Sequence, residues 1–208
     1  MIKLKDLLLE GKPPSIFIPR RIEDRIERMI KTYIRNGNKG SLNLSDLKLT
    51  VLPEILKDIT VGGNFFCFNN NLTSLENCPK TVDGTFDCSR NKLTSLINAP
   101  KYVDGTFYCH YNELTSLEGA PTSVDISFYC GNNELTSLEF APTSVGRNFA
   151  CSHNELTSLE FAPKTVGGIF YCSFNKLTSL TGAPTYVGGD FYCGHNKLTS
   201  LDGATEYV

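Results

Sequence analysis

The sequence predicts an α/β solenoid, in which short repeats coil and their parallel strands stack into one sheet. Nearly the same eleven residues return every twenty-one positions from Phe65 onward, and Phe107 to Leu117 shows the pattern in full. Seven cysteines stand in one column, and an asparagine follows each of them three residues later. This period, with apolar residues spaced as Phe-x-Cys-x-x-Asn-x-Leu-x-x-Leu, is typical of leucine-rich repeats.

Residues 1–40 predict an N-terminal helical cap. A short helix is predicted over residues 2–11, and Pro13-Pro14 ends it. A second helix is predicted from Arg20 to Asn36-Gly37, a usual helix end. One face of this helix is apolar and carries Ile22, Ile26, Met29, Ile30, Tyr33 and Ile34. We expect this face to cover the first coil, because a repeat array needs an end that hides its apolar cross-section.

Residues 41–208 predict the solenoid itself. It begins with a degenerate repeat, in which Leu42 and Leu44 occupy the Phe and Cys columns. Seven regular strand-bearing repeats follow, and the last is incomplete. The spacing from Leu52 to Leu75 is two residues longer than the later period, so we expect the first loop on the back of the coil to differ from the rest.

Each part of the repeat has an expected role. The Phe-x-Cys segment predicts a short strand with both residues facing inward, because side chains alternate across a strand. We expect the asparagine amide to bond the backbone of neighbouring coils, and the recurring valine to complete the core from the back. The back-side prolines predict extended segments rather than helices. The pairs Gly62-Gly63, Gly167-Gly168 and Gly188-Gly189 are expected to form turns into the next strand.

Composition limits the class of protein. The chain is 40% hydrophobic without an apolar run near 18 residues, so no membrane-spanning segment is predicted. Its first ten residues mix charges with leucines and do not resemble a secretory signal, which favours a cytoplasmic protein. Seven of the eight cysteines fall in one repeat column, and Cys78 occupies a column of alanines. We expect all of them to be buried, reduced thiols.

Charge is distributed unevenly along the chain. Residues 1–40 hold 10 Lys and Arg against 5 Asp and Glu, whereas residues 41–208 hold 10 against 17. This basic N-terminal region could attract phosphates or an acidic partner. Its charges, however, lie along an amphipathic helix, and this arrangement favours a solvated helix face. The column after the asparagine includes Glu113, Glu134 and Glu155, and a solvated edge is the favoured interpretation there as well.

The motif Leu-Thr-Ser-Leu-x-x-Ala-Pro resembles the short bacterial leucine-rich repeats of the YopM and IpaH effector group. It occurs, for example, from Leu93 to Pro100 and from Leu114 to Pro121. The period here is twenty-one, whereas that group often has twenty, and we expect no ubiquitin-ligase domain after the last repeat. The basic opening before a Gly-rich array also resembles leucine-rich-repeat proteins of bacteriophages and prophages. This second resemblance implies a role in host interaction or counter-defence.

Outward positions of the predicted sheet flank each cysteine and are rich in aromatic, histidine and arginine side chains. Solenoids bind partners on this extended concave surface, and such a composition is typical of binding hot spots. All three histidines of the chain fall here. The predicted partner-binding residues are Phe66, Phe68, Arg90, Tyr108, His110, Tyr111, Tyr129, His153, Tyr171, Phe174, Tyr192 and His195.

The same columns also allow interpretations other than protein binding. Stacked tyrosines also pack on one another along a sheet, with or without a partner. Metal binding by His110, His153 and His195 is disfavoured, because the cysteines point inward and two coils, roughly 10 Å, separate His153 from His195. No metal or other cofactor is expected. No nucleophile elbow or phosphate-binding loop is present, so the sequence predicts a protein that is not an enzyme.

The functional prediction is a non-enzymatic module that binds a protein partner, from a host cell, on the concave aromatic face. The alternative is a small-ligand or nucleic-acid binder that stacks rings or bases on the same residues. In that alternative Arg20, Arg21, Arg25 and Arg28 contact phosphates. Nucleic acid is the less favoured partner. Because no C-terminal cap is recognised, we expect one of three arrangements: a natural chain that is longer, a second copy that covers the last coil, or a partner that covers it.

Overall fold

The structure of the protein is a computed structural model that describes residues 20–205, and the helix predicted over residues 2–11 lies outside them. Helix α1 spans Arg20–Arg35 and is followed by fifteen two-residue strands, numbered β1 to β15 in chain order. Odd-numbered strands form the front of the coils: Leu42–Asn43, Phe65–Phe66, Phe86–Asp87, Phe107–Tyr108, Phe128–Tyr129, Phe149–Ala150, Phe170–Tyr171 and Phe191–Tyr192. Even-numbered strands form the back: Thr60–Val61, Thr81–Val82, Tyr102–Val103, Ser123–Val124, Ser144–Val145, Thr165–Val166 and Tyr186–Val187.

The front strands form one parallel sheet of eight strands in sequence order, which confirms the predicted solenoid. Leu42 pairs with Phe65 and each phenylalanine with the one in the next repeat, so the degenerate repeat has the predicted register. The phenylalanines at the first position of β3, β5, β7, β9, β11 and β13 are fully buried, and neighbouring ring centroids along this column, continued to Phe191, lie 5.0 to 6.0 Å apart. The first residue of each front strand thus builds the core, and the second faces outward.

The asparagine column joins neighbouring coils as predicted. The amide nitrogen of Asn112 donates to the carbonyl oxygens of Cys109 in its own repeat and Cys88 in the preceding one, both at 3.1 Å. Its side-chain oxygen accepts a hydrogen bond from the backbone N–H of Leu93 at 3.0 Å. The same three bonds recur for Asn91, which makes the column a continuous clamp along the solenoid.

The cysteine column is a core column, and all eight cysteines are free thiols. Seven are buried and Cys193 is half-buried. The sulfur of Cys109 donates to the carbonyl of Tyr129 in the next repeat at 3.4 Å, and Cys88 bonds Tyr108 in the same way at 3.3 Å. A small side chain with a weak donor fits this position between tightly stacked coils.

The back strands were not predicted as a sheet. Their valines are buried as expected, and the segments are extended rather than helical. They also pair in parallel with the neighbouring repeat, as a three-stranded sheet β2-β4-β6 and a four-stranded sheet β8-β10-β12-β14. A 3-10 helix at Glu54–Asp58 precedes β2, so the longer first loop does differ from the later ones.

The paired glycines lie where the backbone bends from a back strand into the next front strand, as expected, but these bends do not use left-handed glycine. Left-handed glycines are found at Gly37, Gly40, Gly119, Gly182 and Gly203, and none of the predicted pairs is among them. The pairs instead let adjacent coils approach closely. A Cβ atom on Gly167 would lie 2.1 Å from the carbonyl oxygen of Gly146, and one on Gly63 would lie 2.5 Å from the carbonyl of Gly40.

Helix α1 packs against the first coil with the apolar face that its spacing predicts. Ile26, Ile30 and Tyr33 are buried in the common core. The hydroxyl of Tyr33 donates to the carbonyl of Asn38 at 2.5 Å and accepts from the N–H of Gly62 at 3.0 Å, which ties the helix to the back of the coil. Within residues 20–205, no helix combines the length and apolar character that crossing a membrane requires.

Candidate functional site

The candidate site is the outward side of the eight-stranded sheet, here called the sheet face. It consists of the second residue of each front strand and the two residues that follow each cysteine. We call the strand positions the tyrosine column and the second positions after cysteine the turn column. All twelve predicted binding residues lie on this face, and ten of them form two aromatic clusters on either side of a central gap. The N-terminal cluster consists of Arg90, Tyr108, His110, Tyr111 and Tyr129. The C-terminal cluster consists of His153, Tyr171, Phe174, Tyr192 and His195.

The tyrosine column forms two stacked pairs. Tyr108 and Tyr129 lie 5.0 Å apart between ring centroids with their planes 9° from parallel. Tyr171 and Tyr192 repeat this arrangement at 5.1 Å and 7°. The pairs are aligned because parallel strands place equivalent residues opposite one another. Burial and the neighbouring Tyr129 raise the pKa of Tyr108 above its ordinary value, so its hydroxyl is neutral at physiological pH.

The turn column has left-handed backbone conformation throughout. Its seven residues have φ between 52° and 58°, and they are Asn69, Arg90, Tyr111, Asn132, His153, Phe174 and His195. Bulky side chains rarely adopt this conformation, which is less favourable by about 1–2 kcal/mol per residue. Five of these seven positions nevertheless carry an arginine, histidine or large aromatic side chain.

Side chains of the turn column stack along the solenoid axis. The guanidinium of Arg90 lies 4.4 Å from the ring centroid of Tyr111. Phe174 lies between His153 and His195, with centroid distances of 4.3 and 4.1 Å and planes within about 11° of parallel. His153 and His195, two of the three histidines named as possible metal ligands, are therefore separated by a phenyl ring.

His110 connects the two columns on the N-terminal side of the face. Its ring packs edge to face against two tyrosines, and its centroid lies 5.7 Å from the ring centroid of Tyr108 and 5.4 Å from that of Tyr111. Burial lowers its pKa below the ordinary histidine value and Arg90 adds to this, whereas Asp87 opposes it. His110 is therefore a neutral ring at physiological pH. Its Nδ1 atom is buried and makes no hydrogen bond with any described residue.

A gap interrupts both columns at the centre of the sheet face. Ala150 pairs with Tyr129 on one side and Tyr171 on the other, so it stands where the tyrosine column has no ring. The gap is a concavity of about 460 Å³, here called the notch. It is lined by Tyr108, His110, Tyr129, Gly131, Asn132, Ala150, Ser152 and Tyr171.

Two of the predicted residues lie apart from these clusters. Phe66 and Phe68 contact each other at 6.3 Å near the N-terminal end of the sheet. Phe66 pairs in register with Asp87, which in turn pairs with Tyr108. An acidic residue thus separates this small aromatic patch from the tyrosine column.

Sequence reasoning missed a pair of exposed phenylalanines outside the sheet face. Phe140 and Phe161 are 52% and 60% exposed and have left-handed φ values of 67° and 66°. Other repeats place Asn77, Asn98, Gly119, Gly182 and Gly203 in this column. The signal was available, because a phenylalanine that replaces asparagine or glycine in a repeat column lacks a core role.

A second concavity, of about 620 Å³, lies between helix α1 and the edge strand β1. Arg25, Arg28 and Lys39 contribute cations to its lining, together with the apolar Met29 and Leu42. The side chains of Arg20 and Arg21 are not among those described. This basic groove is a different surface from the aromatic clusters.

Metal binding and cysteine chemistry have no support in the described part of the chain. Residues 20–205 contain no group of three His, Cys, Asp or Glu side chains placed to hold a metal ion. Burial raises the pKa of the thiols in the cysteine column, for example that of Cys130, well above the ordinary value. A buried thiol that stays protonated is a poor nucleophile and a poor ligand.

The stacked parallel strands, asparagine clamp and 21-residue coils define a leucine-rich-repeat solenoid. The leucine-rich-repeat domain of a Shigella effector has the same fold, with a TM-score of 0.67 and 24% identity over 85% of this chain and 78% of that one. YopM from Yersinia enterocolitica WA-314 is similar with a TM-score of 0.54 and 18% identity, over 90% of this chain and 53% of YopM. These similarities confirm the resemblance in fold to repeats of the YopM and IpaH kind.

Neither a protein-family model nor a curated protein matches the sequence. At such identities the structural similarity establishes the fold, and function has to be argued from the sheet face itself.

Proposed function

We propose that the protein is a non-catalytic module that binds a partner protein on the sheet face. The observation that carries this proposal is the set of bulky side chains in the turn column, which occupy a backbone conformation that disfavours them. Core packing does not require these residues, because Arg90, Tyr111, His153, Phe174 and His195 are all exposed. Strain that persists at exposed aromatic residues points to a role in recognition.

The sheet face also has the physical properties of a protein-binding surface. Its rings are held by backbone pairing and by stacking on one another, so little side-chain entropy remains to be lost on binding. Tyrosine and arginine are enriched in the centres of protein interfaces. The clusters extend over the repeats from Arg90 to His195, which suits an extended partner rather than a small molecule.

The partner that we propose is a protein of a host cell. This step rests on the likeness to the repeats of bacterial effectors, one of which is the Shigella effector domain with the same fold. A counter-defence role for a phage or bacterial protein is the finer form of the same proposal.

Self-association through the last coil is a separate proposal. Phe191, Cys193 and Leu198 are half-buried, whereas Phe170, Cys172 and Leu177 one repeat earlier are buried. Sedimentation velocity over a range of concentrations tests it. A sedimentation coefficient that stays at the monomer value at every concentration would contradict it.

The alternative function is binding of a nucleic acid or an anionic small ligand. The basic groove of Arg25, Arg28 and Lys39 favours it, because cations at the edge of the sheet could contact phosphates. The notch argues against it, because none of its lining residues is cationic. Affinity that falls steeply with salt would support the alternative, whereas affinity that changes little with salt supports protein binding.

Affinity capture from host-cell lysate with three forms of the chain tests the main proposal. The forms are the native chain, a Tyr108→Ala, Tyr129→Ala, Tyr171→Ala variant, and a control with Tyr102→Ala and Tyr186→Ala. Tyr102 and Tyr186 are exposed tyrosines on back strands β6 and β14, so the control removes similar side chains from the opposite surface. We expect the native chain and the control to recover the same protein and the triple variant to lose it. Equal recovery by all three forms would overturn the proposal.

A further inference from the structure

We propose that the notch is an anchor site for one uncharged aromatic side chain of a partner polypeptide that carries lysine or arginine next to that aromatic residue. This inference deepens the proposed function and rests on it, because it names the part of the sheet face that holds the partner and the chemistry that the partner presents.

The spacing of the tyrosine column sets the size of the missing group. Neighbouring tyrosine rings lie 5.0 and 5.1 Å apart within the two pairs. Tyr129 and Tyr171 are separated by two strand spacings, or about 10 Å, because Ala150 lies between them. One planar ring placed above Ala150 would stack on both tyrosines at the distance that the pairs already show. The notch therefore matches one aromatic ring in thickness.

The notch exists because three adjacent columns all have small or short side chains at this place. Ala150 interrupts the tyrosine column, Gly131 and Ser152 occupy the positions after cysteine, and Asn132 interrupts the turn column. The coincidence of small residues across neighbouring strands produces a concavity of about 460 Å³ between two walls of rings.

The lining of the notch favours an uncharged ring. It contains tyrosine, histidine, asparagine, serine, alanine and glycine and no lysine, arginine or carboxylate. His110 is neutral because burial lowers its pKa. Apolar ring faces with a few hydrogen-bonding groups at the edge suit a phenylalanine, tyrosine or tryptophan side chain, which has the same amphipathic character.

The three repeats that carry Tyr108, Tyr129 and Ala150 hold more acidic than basic residues, and this charge favours a cationic neighbouring residue on the partner. Glu113, Glu134 and Glu155 belong to the same three repeats as Tyr108, Tyr129 and Ala150, and all three carboxylates are exposed. Glu155 forms an ion pair with Lys176 of the next repeat. The acidic net charge of these repeats attracts lysine or arginine on a polypeptide and disfavours the phosphates of a nucleotide, so an aromatic side chain is favoured over a base as the ring that enters.

The test selects displayed random peptides on the full native chain and measures their affinity for matched variants. Ala150→Tyr fills the notch with the chain's own ring and continues the column, so it is expected to fold. Tyr129→Ala with Tyr171→Ala removes the walls instead and keeps the test informative if the first variant unfolds. His153→Ala with Phe174→Ala alters the sheet face without lining the notch, and Tyr102→Ala with Tyr186→Ala alters the back. Cooperative unfolding in urea verifies the fold of each variant.

We expect the selected peptides to share an aromatic residue next to lysine or arginine and to bind both notch variants about tenfold or more weakly, as for an interface hot spot. Peptides that bind both notch variants like the native chain but lose affinity for the variant at His153 and Phe174 would overturn the anchor site and leave the proposed function standing. Peptides that lose affinity only for the variant with altered back strands would overturn both. Failure to select any binder, or binders without aromatic residues, would also overturn the anchor site.

Discussion

At the scale of single residues, core packing and the proposed recognition role belong to different positions of one short segment, Phe107 to Asn112. Phe107, Cys109 and Asn112 face the core or the coil junction and are buried, whereas Tyr108 and Tyr111 are partly or largely exposed. The buried positions follow directly from the sequence pattern, because apolar and asparagine columns recur without exception in the regular repeats. The left-handed turn column does not, since arginine, tyrosine, histidine and phenylalanine give no local signal for that conformation.

We expect Asn112→Ala to lower the free energy of unfolding by about 1–3 kcal/mol, because it leaves buried backbone groups of two coils without partners. Asn196→Ala is the matched control. Asn196 makes the same bonds to Leu177, Cys172 and Cys193 but is only half-buried, so water replaces them at lower cost. Urea unfolding of both variants measures the difference. An equal loss of stability in the two would contradict the role of burial in the clamp.

Phe161→Asn is expected to raise the free energy of unfolding by roughly 0.5–1 kcal/mol. The exposed phenylalanine has φ of 66°, and asparagine tolerates this conformation better. The reverse change, Asn98→Phe, places the same strain at a φ of 70° and is expected to lower stability by a similar amount. Thermal unfolding followed by circular dichroism compares the two. Loss of stability in Phe161→Asn would show that this side chain has a packing role.

At the scale of elements, the front sheet could be predicted and the back sheets could not. Each front strand from β3 onward and the cysteine after it place two inward residues around one outward residue, and this alternation is visible in every regular repeat. A back strand is two residues long and contributes one buried valine, which gives no alternation to read. Its pairing depends on how closely the coils stack, and that distance is set by interactions elsewhere in the repeat.

Substitution of a glycine on the back of the coils tests how tightly neighbouring coils stack. We expect Gly167→Ala to lower the free energy of unfolding by about 1–3 kcal/mol, because the added Cβ would lie 2.1 Å from the carbonyl oxygen of Gly146. Gly194→Ala is the control, since its nearest neighbour would be the hydroxyl of Ser173 at 4.0 Å. Its stability is expected to stay within about 0.5 kcal/mol of the native value. Urea denaturation distinguishes the two, and an unchanged Gly167→Ala would argue against close stacking.

At the scale of the whole molecule, the cysteine column makes stability sensitive to alkaline pH. Burial raises the pKa of these thiols in the folded chain, for example Cys109 and Cys130, whereas the unfolded chain ionises them near pH 8.5. Above that pH the folded state binds more protons than the unfolded state. The free energy of unfolding is therefore unaffected by the thiols at lower pH and falls as the pH rises. The fall is about 1.4 kcal/mol per pH unit for each buried thiol.

Urea unfolding under reducing conditions between about pH 8 and 10 measures this dependence. A variant with Cys109→Ala and Cys130→Ala has two fewer buried thiols, so its stability is expected to fall less steeply with pH than that of the native chain. The same slope in both proteins would show that the thiols do not control alkaline stability.

The candidate binding surface could be predicted only in part from the sequence. The repeat register placed twelve residues on one face, because a fixed period and side-chain alternation decide which columns point outward. The notch required the three-dimensional register, since it arises where Ala150, Gly131 and Asn132 meet across neighbouring strands. The break in the tyrosine column at Ala150 was visible in the sequence. The depth of the notch was not, because it depends on small residues from two repeats.

The central claim is that a partner protein binds on the sheet face through its aromatic rings. The most direct measurement is hydroxyl-radical footprinting of tyrosines in the native chain, free and in complex with the captured partner. We expect Tyr108, Tyr129 and Tyr171 to become protected, while Tyr102 and Tyr186 on the back strands keep their reactivity. Protection confined to Tyr102 and Tyr186, with the sheet-face tyrosines as reactive as in the free chain, would contradict the claim.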